Sequence, residues 1–193
     1  AYTRLSKEME TINSRLVKAE EKLDYTLRSL GSLKEDEIRA REQLDEIKSI
    51  IHQAKEHMNT FKLPIVPKNY YVELEEANEA LRNLVIELEK QPISIKTLNT
   101  RVDTARDLVL KVYNTSIEVV KTASMAENAI VYGNRYRAMN KTIDSGLFKA
   151  ERDFFKGNFK SSLEYAINSI NIIEPGIHKR LLEASKNGNK LEG

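Results

Sequence analysis

The chain has 193 residues, a formal net charge of +2, 31% charged residues and neither Trp nor Cys. That length holds one domain or two around a buried core, and so high a charge content suits long solvated helices better than a sheet-based enzyme. The lack of Cys excludes disulfides and thiolate metal sites. The longest stretch without a charged residue, Tyr165 to Ile173, is nine residues, against the roughly 20 that a membrane-spanning helix needs.

The first predicted helix carries a single heptad from Leu5 to Phe61. Its seam reads Leu5, Met9, Ile12, Leu16, Ala19, Leu23, Thr26, Leu30, Leu33, Glu37, Ala40, Leu44, Ile47, Ile51, Ala54, Met58 and Phe61. A repeat of 3.5 residues keeps one narrow stripe turned toward partner helices, as in coiled coils and spectrin-type rods. Gly31 costs a helix about 1 kcal/mol against Ala, yet the heptad phase runs through it, so the helix is expected to continue. The pair of prolines in Leu63-Pro64-Ile65-Val66-Pro67 ends it. The opening Ala1-Tyr2-Thr3 enters the repeat with no Met or flexible lead, which is expected of a piece cut from a longer rod.

The second helix is predicted from about Lys68 to Lys90, with Tyr70, Leu74, Ala77, Leu81, Leu84 and Leu88 at heptad spacing. Gln91-Pro92 follows, and Ser94 is available as an N-cap. The third helix shows Ile95, Leu98, Val102, Ala105, Val109, Val112, Ser116, Val119, Ala123, Ala126 and Ile130, and is predicted to run to about Met139. After a break near Asn140 to Thr142, two shorter helices over 142–156 and 158–174 meet at Gly157-Asn158 and close at Pro175-Gly176. The second of them resembles the second helix of a tetratricopeptide repeat. One such unit cannot form the stacked peptide groove that about three build, so the pair is read as a capping hairpin.

Helix lengths then decide the architecture. At 1.5 Å per residue the first three helices span roughly 90, 35 and 70 Å, and short loops make neighbours antiparallel. The second helix can therefore cover only the latter half of the first. The third draws level with Phe61 near Ser116 and then projects onward, to be covered by the hairpin. The expected fold is all-α: antiparallel three-helix bundles in series, joined as spectrin-like repeats are, sharing one long continuous helix in an elongated rod. The expected divisions are 1–36, a helix from an incomplete preceding repeat; 37–116, a three-helix bundle; 117–184, a terminal bundle with its hairpin; and 185–193, a tail, with Leu191-Glu192-Gly193 of the kind cloning leaves behind. The seam over 5–33 has no partner in the chain, which makes self-association through it, with a second antiparallel copy, an expectation.

No catalytic constellation emerges. His52 and His57 lie five residues apart, about 140° from one another around a helix, and cannot hold one ion from one face. None of His52, His57 or His178 has a Glu three residues before it, as di-iron bundles require. Phosphate loops, dinucleotide glycine patterns and nucleophile elbows are missing from the sequence. The chain is expected to be no enzyme, with no metal or cofactor and no nucleic-acid partner. Charge is unevenly spread: residues 1–92 hold 15 Lys/Arg against 18 Asp/Glu, and residues 93–193 hold 16 against 11. The basic residues cluster from Arg135 to Lys160, a region read either as a solvated helix face or as a surface for an acidic peptide or anionic membrane.

The most specific local feature is Tyr132-Gly133-Asn134-Arg135-Tyr136-Arg137. Glycine near the end of a long helix permits close approach of another helix, Tyr132 and Tyr136 share a face, and Arg135 and Arg137 offer forked donors for carboxylates. These six residues are the candidate protein-binding site, with packing onto the following hairpin as the equally weighted structural reading. The order of Leu98-Asn99-Thr100-Arg101-Val102-Asp103-Thr104-Ala105-Arg106-Asp107-Leu108-Val109, Ala126-Glu127-Asn128-Ala129-Ile130, the tyrosine-arginine segment and the final Gly-Asn-Phe hairpin resembles the C-terminal part of the EzrA family of bacterial septation ring formation regulators. The resemblance covers essentially the whole chain. It implies a cytoplasmic rod of spectrin-like repeats at the inner face of the cell membrane and the division septum, tethered by an N-terminal membrane helix outside this chain. It also implies binding to the tubulin-like division protein FtsZ and other division proteins, and restraint of FtsZ assembly away from midcell. The family's patch named for Gln, Asn and Arg maps onto Asn134 and Arg135, and its Gln falls near Val131, where this sequence has none. The competing readings are a membrane-curving helical dimer of the BAR type and a general cytoskeletal spectrin-type scaffold.

Overall fold

The computed structural model describes the backbone of residues 2–186 and the side chains of residues 7–183. Every regular element in that span is helical: α1 (Tyr2–Asn59), α2 (Lys68–Glu89), α3 (Ile95–Gly133), a 3-10 turn (Asn134–Tyr136), α4 (Lys141–Phe155), α5 (Phe159–Ile170) and α6 (Ile177–Lys186). The punctuation works as the chemistry requires. Pro67 precedes the first turn of α2, where a missing N–H costs nothing. The Ser94 hydroxyl accepts from the Thr97 N–H at the start of α3, and Asn140 caps α4 by accepting from the Thr142 N–H at 2.8 Å.

The heptads of α1, α2 and α3 meet in a first core. Ala40, Leu44, Ile47, Ile51, Ala54 and Met58 of α1 pack with Tyr70, Ala77, Leu81, Leu84 and Leu88 of α2 and with Leu98, Val102, Ala105, Val109 and Val112 of α3. Each large side chain taken fully out of water contributes about 1.5–3 kcal/mol. The third helix is the common partner, lying against both α1 and α2, which touch one another at few points.

Half of the α1 seam takes no part. Met9, Ile12, Leu16, Leu23, Leu30 and Leu33 are 42–61% exposed, whereas Ala40 and Ile47 are 1% exposed. The change falls between Leu33 and Ala40, at the level where α2 ends and α3 begins. Leu5 lies outside the described side chains. The helix continues through Gly31, around which nothing approaches within 4 Å.

Beyond Ser116, which is wholly buried, α3 enters a second core. Ala123, Ala126, Ala129, Ile130 and Tyr132 pack with Ile143, Leu147, Ala150 and Phe154 of α4, with Phe159, Ala166 and Ile170 of α5, and with Ile177 and Leu181 of α6. Two differences from the sequence reading appear here. The third helix ends at Gly133, not near Met139, and tightens into a 3-10 turn (Arg137 N–H to Asn134 O, Met139 N–H to Tyr136 O). The chain must turn there to bring α4 back: a Cβ on Gly133 would sit 2.9 Å from Leu147 Cδ2 and 3.2 Å from Ile170 Cγ1. The second difference is α6, a ten-residue helix after Pro175-Gly176, in the stretch up to 184 that the sequence reading assigns to the terminal bundle without naming a helix there.

The two cores touch through the α1–α2 and α4–α5 connections. Phe61, Leu63 and Val119 pack on the second core, and Leu63 and Val119 also on the first. The α4–α5 turn places Gly157 at φ +80, and a Cβ there would lie 2.7 Å from Ile65 Cγ2, so the turn needs glycine both for its backbone and for its neighbour. Asp153 closes the hairpin by accepting from Ser161 Oγ at 2.6 Å and from Arg152. The Ser161 hydrogen bond, with Arg152 and Lys156 nearby, holds its carboxyl below the ordinary range.

Candidate functional site

The tyrosine-arginine segment sits where α3 gives way to α4, and its parts divide by burial. Tyr132 and Gly133 are buried on the last turn of α3, Tyr136 and Arg137 are half-buried, and Asn134 and Arg135 are exposed. The Tyr132 and Tyr136 rings meet edge to face with centroids 6.2 Å apart, a preferred aromatic geometry. Both hydroxyls converge on the Glu174 carboxylate just after α5. Tyr132 lies 2.9 Å from each carboxylate oxygen, and Tyr136 donates to Oε1. From α6, Arg180 Nη1 donates to Glu174 Oε2 at 2.9 Å and to the Tyr132 hydroxyl at 3.3 Å.

This convergence sets the local acid–base chemistry. Hydrogen bonding from Tyr136, and then from Tyr132, with the Arg180 and Arg135 charges, holds the Glu174 carboxyl below its ordinary range. The same Glu174 hydrogen bond, helped by desolvation, pushes the Tyr136 phenol up to about 12. The Tyr132 hydroxyl, and the Glu174 charge behind it, raise the Arg180 guanidinium. One acceptor thus ties the end of α3, the exit of α5 and the body of α6 together.

Arg135 is exposed but not idle. Its guanidinium carbon stands 4.0 Å from the Tyr132 ring centroid, and its Nε donates to the Tyr132 carbonyl at 3.1 Å. Arg137 turns the other way, toward α4. Its Nη2 is 2.8 Å from Glu151 Oε2 and its Nε 3.7 Å from Asp144 Oδ1, ion-pair contacts that are not hydrogen bonds. The six predicted residues therefore form one contiguous feature in which Tyr132, Gly133, Tyr136 and Arg137 pack into the junction while Asn134 and Arg135 are exposed, Arg135 lying along Tyr132. Glu174 and Arg180 were not singled out by sequence reasoning. They lie 42 and 48 residues from Tyr132, and no periodicity links them to it; a Glu directly before Pro175-Gly176 was the one local hint.

Elsewhere the surface is grooved rather than deeply pocketed. One groove, about 600 Å³, lies between the start of α2, the middle of α3 and the α4–α5 turn, with Glu73, Glu118, Thr115, Phe159 and Lys160 among its walls. His52 is exposed, with its Nε2 3.2 Å from Glu56 Oε1. Among the described residues no group of three or more His, Asp or Glu is placed to hold a metal ion, and no helix is long and apolar enough to cross a membrane.

Fold and surface together define an all-helical bundle protein organised along one long shared helix. The chain belongs to the EzrA family, the septation ring formation regulators of cell division, whose family model matches residues 1–185. Relatives bearing that name include proteins from Geobacillus sp. (strain WCH70), 32% identical over 74% of this chain and 25% of the relative, and from Geobacillus kaustophilus, 29% identical over 79% and 27%. A Bacillus pumilus relative is 28% identical over 94% of this chain and 32% of its own length. The chain thus spans about a quarter to a third of the curated relatives it matches. No solved structure gives a significant match.

Proposed function

We propose that this chain is a spectrin-like segment of a non-catalytic division scaffold that binds FtsZ and restrains its assembly away from midcell. In that reading it works at the cytoplasmic face of the membrane and at the septum, held there by a membrane helix elsewhere in the full protein. The observation that carries the reading is the family match across residues 1–185. Two hydrophobic cores arranged along α3 support a rod that sets binding surfaces at fixed spacing. They also support dividing the chain near 36 and 116, with residues 1–36 belonging to a preceding repeat. Within the terminal bundle, the exposed pair Asn134 and Arg135, presented on a turn rigidified by Tyr132, Tyr136 and Glu174, is the proposed contact for a division protein. The exposed stripe from Met9 to Leu33 favours a second surface, for self-association.

The test is a pull-down of FtsZ, with and without its C-terminal tail, on the immobilised chain. Saturable capture of intact FtsZ, weakened by Asn134→Ala with Arg135→Ala, is expected. Failure to capture either form of FtsZ would refute FtsZ binding by these residues.

A further inference from the structure

We propose a second binding site in the terminal bundle, a groove between α4 and α5 that takes a short acidic peptide segment bearing apolar side chains. The groove holds about 470 Å³ and is walled by Lys141 and Lys149 of α4 and by Tyr165, Asn168 and Ile172 on the α5 side. Gly146 lies in the lining, and a Cβ there would collide with the Ser169 hydroxyl, so α4 and α5 pack closely at that point.

The lining states the chemistry of its occupant. No Asp or Glu lines the groove, and among the described residues neither Lys141 nor Lys149 has a carboxylate within salt-bridge reach. The carboxylates of α4 are already engaged, Asp144 and Glu151 with Arg137 and Asp153 with Arg152. Lys149 instead reaches across the groove, its Nζ 5.9 Å from the Tyr165 ring centroid. Beside these unmatched cations lie apolar surfaces with nothing over them. Ile172 is 53% exposed, Tyr165 37%, and Phe148, next to Lys149 on α4, 66%. Two cations along a groove whose lining is otherwise mainly polar (Thr142, Ser145, Asn168, Ser169), with Ile172 and the Tyr165 ring as its apolar parts, complement a segment in which carboxylates are interspersed with apolar side chains.

A lipid surface fits less well. An anionic bilayer presents a broad surface of negative headgroups, whereas these two lysines line a narrow groove and the same helix carries Asp144 and Glu151 on its exposed side. The groove also differs from the Asn134–Arg135 turn in position and in residues, so it stands or falls independently of FtsZ binding.

Fluorescence anisotropy with a short labelled peptide of alternating Glu and Leu tests the site. Glu–Ser and Lys–Leu peptides of equal length serve as controls. Saturable binding of the Glu–Leu peptide is expected, with both controls much weaker and with affinity falling as salt rises. Lys141→Glu with Lys149→Glu should weaken it by roughly tenfold or more, and Ile172→Ser with Phe148→Ser should weaken it at unchanged charge. Circular dichroism confirms that each variant remains folded. Glu–Leu binding that survives the charge reversal, or that the Glu–Ser peptide matches, would overturn the proposal. So would a chain that ignores the peptide but sediments with phosphatidylserine vesicles through the same lysines.

Discussion

Glu174→Gln keeps one carbonyl acceptor but removes the negative charge and the second oxygen that the Tyr132 and Tyr136 hydroxyls and the Arg180 guanidinium share. Hydrogen bonds to a charged group contribute about 1.5–3 kcal/mol when well shielded, and partial exposure of this one lowers the expectation for Glu174→Gln to about 1–2 kcal/mol, read by thermal melting. The pH dependence has a definite sign. The Glu174 carboxyl is depressed, so its contribution is present above the ordinary value of about 4.3 and is lost as pH falls through the lower folded value. The Tyr136 phenol is raised to about 12, so its contribution is present below the ordinary value of about 10 and is lost as pH rises through about 12. Glu174→Gln should flatten both limbs of the stability profile.

The candidate patch makes a second prediction at the same scale. Asn134→Ala and Arg135→Ala should shift stability by about 0.5 kcal/mol or little more, even though Arg135 stacks on Tyr132, because both side chains are exposed. Tyr132→Ala and Tyr136→Ala should lower the melting temperature visibly. Septal localisation of full-length variants, compared at matched helicity, separates recognition from folding. If Arg135→Ala melts the bundle as badly as Tyr136→Ala, the segment is a helix junction and nothing more. The sequence showed the tyrosines, the glycine and the arginines as a group because they are contiguous. It could not show Glu174, because convergence of α3, α5 and α6 on one carboxylate depends on tertiary packing.

Among the elements, α3 bears the greatest structural demand, since one helix of 39 residues serves two cores. Ile117→Pro falls beside buried Ser116, between those cores. An interior proline costs about 3 kcal/mol or more, and helicity and melting of both halves should fall together. Unchanged helicity and melting would mean that α3 tolerates a break there and that the halves are independent. The long helices were legible because heptad spacing, proline pairs and capping residues agree with one another. Two things were less legible. The end of α3 was placed too late because the apolar pattern gives no sign that α4 must return against Gly133. The last helix falls inside the predicted terminal bundle but is not named there as a helix, because Pro175-Gly176 closes the helix before it, and Ile177 and Leu181, buried on α6, give too short a pattern to read.

For the whole molecule, the bare seam follows from length alone: α1 is far longer than α2, and among the described residues no other element covers the seam of its first half. A soluble protein rarely leaves such a stripe open, so the chain is expected to dimerise as concentration rises. Leu16→Asp with Leu23→Asp should weaken that dimer in light scattering. A chain that stays monomeric at high concentration, with residues 1–33 protected from proteolysis, would contradict self-association through the seam. What a helical bundle of this kind acts on is less legible than its helices, because contact residues on exposed helix faces follow no periodic pattern. The most direct measurement is therefore sedimentation of FtsZ polymer in the presence of increasing amounts of this chain. Less polymer in the pellet is predicted, with the effect reduced by Asn134→Ala plus Arg135→Ala. Unchanged polymer, with none of the chain carried into the pellet, would contradict the proposal that these residues bind and restrain FtsZ.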